Sequence, residues 1–190
     1  MFAGMRKEQI KYGFMGLSHG SGTTHMAIST AVFLSNYKGR KTAFAELSGH
    51  NEIDDLREYE TDTPFNIYGV DYYPNVCGDS LYTIFNSGYD SIVLDLGCIS
   101  DRKTNEFSLC DRKFLLGIFS PWNEKKLLLS LDDIINTKKN YYNVSGLIWG
   151  SDSIKSHISR SFNIPVRSLP FIADAFNIRS ADRAFFNELI

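Results

Sequence analysis

Tyr12-Gly13-Phe14-Met15-Gly16-Leu17-Ser18-His19-Gly20-Ser21-Gly22-Thr23-Thr24-His25 runs from an apolar stretch, through a bend rich in glycine and serine, into a helical period. Residues 12–17 read as a strand. Residues 24–37 carry Ala27, Ala31 and Leu34 at helical spacing, with Met26, Thr30 and Phe33 beside them, and Asn36 and Gly39 stand where that helix stops. A chain that turns sharply from strand to helix exposes several backbone N–H groups. Glycines let those groups curl into a nest for anions, and the helix N-terminus adds its dipole. Gly20 and Gly22 supply that freedom. Thr24 stands where the Ser or Thr of a phosphate loop holds Mg2+ through its hydroxyl. The pattern G-x-x-x-x-G-K-[ST] is matched at its end by Gly22-Thr23-Thr24, with Thr23 in the lysine position and Leu17 in place of the first glycine. For the bend alone, the alternative is a glycine turn that holds no ligand.

Outward from this bend, short apolar runs alternate with helical periods. Strands are expected over 42–47, 65–73, 92–96, 113–119, 144–149 and 165–169. Helices are expected over 79–86, after Ser120-Pro121, over 152–162 and over 180–189, with a polar surface helix over 51–60. In the helix after Pro121 the buried stripe is Leu127, Leu128, Leu131, Ile134 and Ile135. The nearly continuous apolar runs mark strands covered on both faces. About seven strands interleaved with helices predict an α/β three-layer sandwich around a mostly parallel sheet, as one domain over 1–190. There is no internal repeat and no linker-like tract.

A second signal is Tyr89-Asp90-Ser91-Ile92-Val93-Leu94-Asp95-Leu96-Gly97, an apolar strand ending in a carboxylate. Asp95 has the place of a Walker B aspartate, beside the phosphate loop and holding Mg2+ through water or the Thr24 hydroxyl. The alternative is an aspartate capping the next turn. Order and separation of the two segments favour the nucleotide reading.

The 190 residues are 43% hydrophobic and 22% charged, with a net charge of -2, so a core can form and no basic excess points to nucleic acid. Cys77, Cys98 and Cys110 lie far apart without a Cys-x-x-Cys pair, as expected of reduced core thiols in a cytoplasm. Residues 1–11 carry no apolar signal region, and no run has membrane-spanning length, so a soluble protein without a transmembrane segment is expected. His157, Glu124-Lys125-Lys126 and Lys138-Lys139 read as solvated. Tyr72-Tyr73 and Tyr141-Tyr142 read as packing or edge residues, and Phe185-Phe186 as folding back on the domain.

Over nearly its whole length the chain resembles the MinD/ParA group of P-loop ATPases. Residues 12–25 resemble its first strand and deviant Walker A loop, and 39–47 its second strand. Residues 89–97 resemble its "Y-D-x-V-x-x-D" segment, 111–121 the following strand, and 164–171 its late "I-P" stretch near the base. Within the group the chain is most similar to CpaE and TadZ, members linked to pilus and secretion-system localisation. The resemblance implies ATP or ADP with Mg2+ as ligands. It implies nucleotide contacts from Ser18, His19, Gly20, Ser21, Gly22, Thr23, Thr24, His25, Pro170 and Phe171, and metal contacts from Thr24, Asp95 and Glu46. It also implies a homodimer that sandwiches nucleotide, a protein partner in a localisation or assembly system, and a cytoplasmic location peripheral to the inner membrane face.

The departures lie at charged positions. The group's two loop lysines fall on Ser18 and Thr23, its Asp-x-Asp pair reads Glu46-Leu47-Ser48, and its late asparagine falls near Gly150. A loop lysine neutralises charge that develops between the β- and γ-phosphates, and loss of one such group costs several kcal/mol of transition-state stabilisation. The expectation is weak nucleotide binding with slow or absent hydrolysis. Two rivals stand beside it. One is an active ATPase whose charges come from Arg102, Lys103 or a partner chain. The other is an interaction module that binds no nucleotide.

Overall fold

The computed structural model describes residues 8–57, 64–137 and 142–190. Eight strands form one sheet: β1 (Ile10–Gly16), β2 (Thr42–Glu46), β3 (Phe65–Ile67), β4 (Val70–Tyr73), β5 (Ser91–Cys98), β6 (Arg112–Ile118), β7 (Val144–Trp149) and β8 (Val166–Ser168). Their order is β3-β4-β2-β5-β1-β6-β7-β8, and every pairing is parallel except β3 with β4. The helices are α1 (Thr23–Asn36), α2 (Asp79–Phe85), α3 (Thr104–Ser108), α4 (Glu124–Asp132), α5 (Asp152–Phe162) and α6 (Arg183–Leu189).

Two apolar layers cover the sheet. On one face α1 and α6 pack with Tyr12, Phe14, Phe44 and Phe114; Phe33 of α1 stacks on Phe186 of α6 at 5.1 Å, so the terminal aromatic pair does fold back. On the other face α2, α3, α4 and α5 contribute Leu81, Phe107, Leu131 and Ile158 against Met15, Leu94 and Leu115. Strands covered on both sides have no polar face to show, which is why their sequences read as unbroken apolar runs.

Eight strands appear where about seven are expected, because residues 65–73 are a hairpin and not a single strand. Tyr68 (φ 50°) and Gly69 (φ 79°) both adopt the left-handed conformation that closes a two-residue turn, and Phe65 pairs with Tyr72. The surface helix expected over 51–60 is only a 3-10 turn, Asp54–Leu56, and residues 58–60 lie outside the described residues. That polar segment offers no apolar stripe to anchor a longer helix. α3 was not expected; Phe107 buries its one large side chain there. Cys98 and Cys110 are buried as expected, but Cys77 is exposed. His157 and residues 124–126 are exposed, whereas Lys138, Lys139 and Tyr141 lie outside the described residues. No helix among the described residues is long and apolar enough to cross a membrane.

Strand order positions the loop. β1 lies between β5 and β6; its outgoing connection leads toward β2 on one side, while β6 leads to β7 on the other. In open parallel sheets this reversal leaves a crevice at the carboxyl ends of the strands, where ligands bind.

Candidate phosphate-binding site

β1 ends at Gly16, a position with no room for a side chain: a Cβ there would lie 2.3 Å from Ser21 Oγ and 2.7 Å from Thr23 Oγ1. The bend therefore folds down over the end of its own strand. Leu17 N–H still donates to Leu116 of β6 at 2.8 Å. After that the N–H groups of Ser18, His19, Gly20, Ser21 and Gly22 find no acceptor among the described residues. Gly20 (φ 74°) and Gly22 (φ 83°) turn the backbone through conformations that side chains disfavour. Gly22 is the N-cap of α1 and supplies no side-chain cap, so the first turn of a 14-residue helix is open at its positive end.

Ser18, His19, Gly20, Ser21, Gly22, Thr23, Thr24 and His25 all line one cavity of about 290 Å3, together with Ser48, His50, Glu52, Gly97 and Cys98. The fold thus brings the eight expected loop residues together. Within the bend, Ser21 and Thr23 are buried and their hydroxyls are 3.0 Å apart. Thr23, in the lysine position, is turned inward to this partner. Pro170 and Phe171 do not line the cavity; Phe171 is 73% exposed.

Beside the loop, Glu46 of β2 and Asp95 of β5 are register partners in the sheet, both fully buried. Glu46 Oε1 accepts from the Glu52 N–H at 2.7 Å and from the Ser48 hydroxyl at 3.2 Å. Asp95 Oδ1 accepts from the Gly97 N–H at 3.0 Å. Among the described residues, the other oxygen of each, Glu46 Oε2 and Asp95 Oδ2, is buried without a hydrogen-bond partner. Burial pushes the Asp95 carboxyl up from 3.8 to about 6. The nearby Thr24 hydroxyl and the Gly97 amide oppose that, and the charges of Glu46 and Glu52 add to it. Two orphaned carboxylate oxygens next to a threonine hydroxyl suit a hard cation such as Mg2+, which takes oxygen ligands and shares itself with phosphate. Thr24, Asp95 and Glu46 are thus donors of the type Mg2+ takes, and of the three only Thr24 lines the cavity.

The residues that the sequence reading missed are His50, Glu52, Gly97 and Cys98. His50 and Glu52 follow the carboxyl end of β2, and Gly97 and Cys98 form the carboxyl end of β5, the two strands that the fold sets on one side of β1. Gly97 had a usable signal, a glycine two residues past a strand-end aspartate. It takes φ 65°, and a Cβ there would meet Asp101 Oδ2 at 2.4 Å. His50 carries no such mark.

No family model and no curated protein matches the chain. Solved structures do. A plasmid-partition-type protein of Borrelia burgdorferi B31 bound to AMPPNP shares 13% identity at a TM-score of 0.67, covering 96% of this chain and 97% of that one. Apo McdA of Cyanthece gives 12% and 0.61 over 96% and 91%. MinD in the Aquifex aeolicus MinC:MinD cell division complex gives 17% and 0.57 over 84% and 79%. This likeness shows the fold, that of the P-loop NTPases, and the structural neighbours are ParA- and MinD-type ATPases.

Proposed function

We propose that the chain is a one-domain nucleotide-binding protein of MinD/ParA type, nearest its CpaE/TadZ-like members. It holds ATP or ADP with Mg2+ over residues 18–25, hydrolyses it slowly or not at all, and acts as a localisation or assembly factor. The observation that carries this reading is the row of unpartnered N–H groups from Ser18 to Gly22, set against two orphaned carboxylate oxygens on β2 and β5. Donors on the loop suit phosphate oxygens, and the two buried carboxylates behind the cavity lining are acceptors of the kind that suits the metal phosphates bring.

The division of labour follows from these positions. The loop amides grip the phosphates without an ammonium group. Thr24, Asp95 and Glu46 hold Mg2+, which neutralises charge on the phosphate oxygens when bound. Ser48 offers no charge for orienting water, and Thr23 offers none to the leaving phosphates, so ground-state binding outlasts turnover. Pro170 and Phe171 are assigned to the base, outside the loop cavity. A homodimer across this face, a protein partner, a cytoplasmic location peripheral to the inner membrane face, and no direct contact with nucleic acid belong to the same proposal. The neighbours' bound AMPPNP and MinC are consistent with it.

Thermal unfolding with ATP, ADP or GTP, run beside steady-state hydrolysis, tests the reading. A rise in melting temperature with Mg2+-nucleotide and negligible turnover is the expected result. Turnover abolished by Asp95→Ala points to an active ATPase instead. The absence of any shift with any nucleotide leaves an interaction module and overturns the proposal.

A further inference from the structure

Three of the four histidines line the phosphate-loop cavity, and among the described residues no lysine or arginine does. Acidic groups surround it: Glu52 on the lining, Asp101 behind Gly97, and the buried Glu46 and Asp95. A polyphosphate entering this site meets amide dipoles and, among the described lining residues, only imidazoles as a source of full positive charge. Two of those rings come from different segments and are brought together by the fold. The centroids of His19 and His50 are 5.8 Å apart, edge to face at 72°.

Each ring has its own support. His19 Nε2 lies 3.2 Å from Ser100 Oγ. The backbone N–H of His50 donates to Ser48 Oγ at 3.2 Å, and the ring Nε2 lies 3.7 Å from Asp101 Oδ2. Asp101 is itself held by the Cys98 N–H at 2.7 Å. Both histidines are exposed, so their rings are open to a ligand. His25 follows Thr24 and is tied to the metal position, so it is left outside the pair.

We propose that His19 and His50 form a conditional cationic clamp in place of the two absent loop lysines, gripping the phosphates of a nucleotide when both imidazoles carry a proton and releasing them when neutral. The clamp rests on the nucleotide reading above and adds to it the residues that carry the charge. The titratable groups facing the pair are His25 from α1, Glu52 from the turn after β2, and Cys98 and Asp101 from the end of β5 and the turn beyond it. Glu46 and Asp95 lie buried at the ends of the same two strands.

Imidazole is the side chain that changes charge between about pH 5 and 8, so ligand binding that takes up a proton weakens by up to about tenfold per pH unit for each histidine involved. Calorimetric titration with ADP and with inorganic tripolyphosphate, in Mg2+ and in EDTA, at about pH 6 and about pH 8, measures this. The proteins compared are the native chain, the His19→Gln/His50→Gln double variant, His50→Lys, and His157→Gln as an exposed control on α5. Protonation of the ligand is common to all four, so differences between proteins isolate the clamp.

The native chain and His157→Gln are expected to lose at least about tenfold more affinity between the two pH values than the double variant does. His50→Lys is expected to keep its tight binding at the higher pH. Because both rings are exposed, the double variant should melt like the native chain; if it does not fold, His50→Lys carries the test alone. Equal affinity and equal pH dependence in all four proteins overturn the clamp and leave the nucleotide reading intact. No binding of either probe under any condition overturns both.

Discussion

Asparagine at position 95 separates two demands that the fold places on one carboxylate. Asp95 is fully buried, and burial raises its pKa from 3.8 to about 6. The folded-state value lies above the unfolded one, so the native state holds this proton more tightly than the unfolded chain does. The stability this contributes is complete below about pH 4, declines as pH rises through 6, and is absent at neutral pH. At about 1.4 kcal/mol per pH unit, the gap between the two values makes the charged carboxylate cost the empty protein about 3 kcal/mol at neutral pH. Asp95→Asn removes that cost. It keeps an oxygen for the Gly97 N–H. In EDTA without nucleotide the variant is expected to gain about 1–3 kcal/mol at neutral pH, raising its melting temperature by about 2–12 °C. That advantage should vanish near pH 4, where the native carboxyl is protonated. Stabilisation by Mg2+-ADP should be lost. Urea and thermal unfolding across this pH range, followed by thermal shift with Mg2+-ADP, measure each part. A variant no more stable than the native chain at neutral pH would refute the argument, because Asp95 would then not be held charged at a cost for want of a cation.

Thr23→Lys restores the lysine that the loop pattern lacks and gives up the buried Ser21–Thr23 contact, worth about 1 kcal/mol. It should lower stability slightly in urea melts while tightening ADP at least about tenfold and producing measurable hydrolysis. Gly20→Ala places a side chain at φ 74° with nothing within 4 Å, so its cost is purely conformational, about 1–2 kcal/mol in urea unfolding. Gly13→Ala brings a Cβ to 2.5 Å from Cys110 Sγ and 3.2 Å from Phe107 Cδ2, where α3 crosses β1. It should destabilise by about 1–3 kcal/mol while leaving ADP binding by the folded fraction unchanged in calorimetry.

Much of the architecture was legible because its causes are local. β7 and α5 fall on the predicted spans, 144–149 and 152–162, since an unbroken apolar run and a capped amphipathic period announce themselves residue by residue. Ser151 accepts the Ile154 N–H as the cap of α5. The hairpin at 65–73 was misread because Val70 and Tyr72 are apolar enough to continue the run from Phe65, and only the left-handed pair Tyr68-Gly69 breaks it.

For the site, the amino-acid order alone determined the bend, its glycines, the threonine at the helix start and the lack of a loop lysine, all within eight consecutive residues. Only the tertiary structure decided what surrounds them. Placing β2 and β5 on one side of β1 sets Glu46 against Asp95 with two oxygens unpartnered, carries His50 to His19, and leaves Phe171 outside the cavity. Strand order depends on how the helical crossovers pack on each face of the sheet, a long-range result that no single stretch of residues encodes.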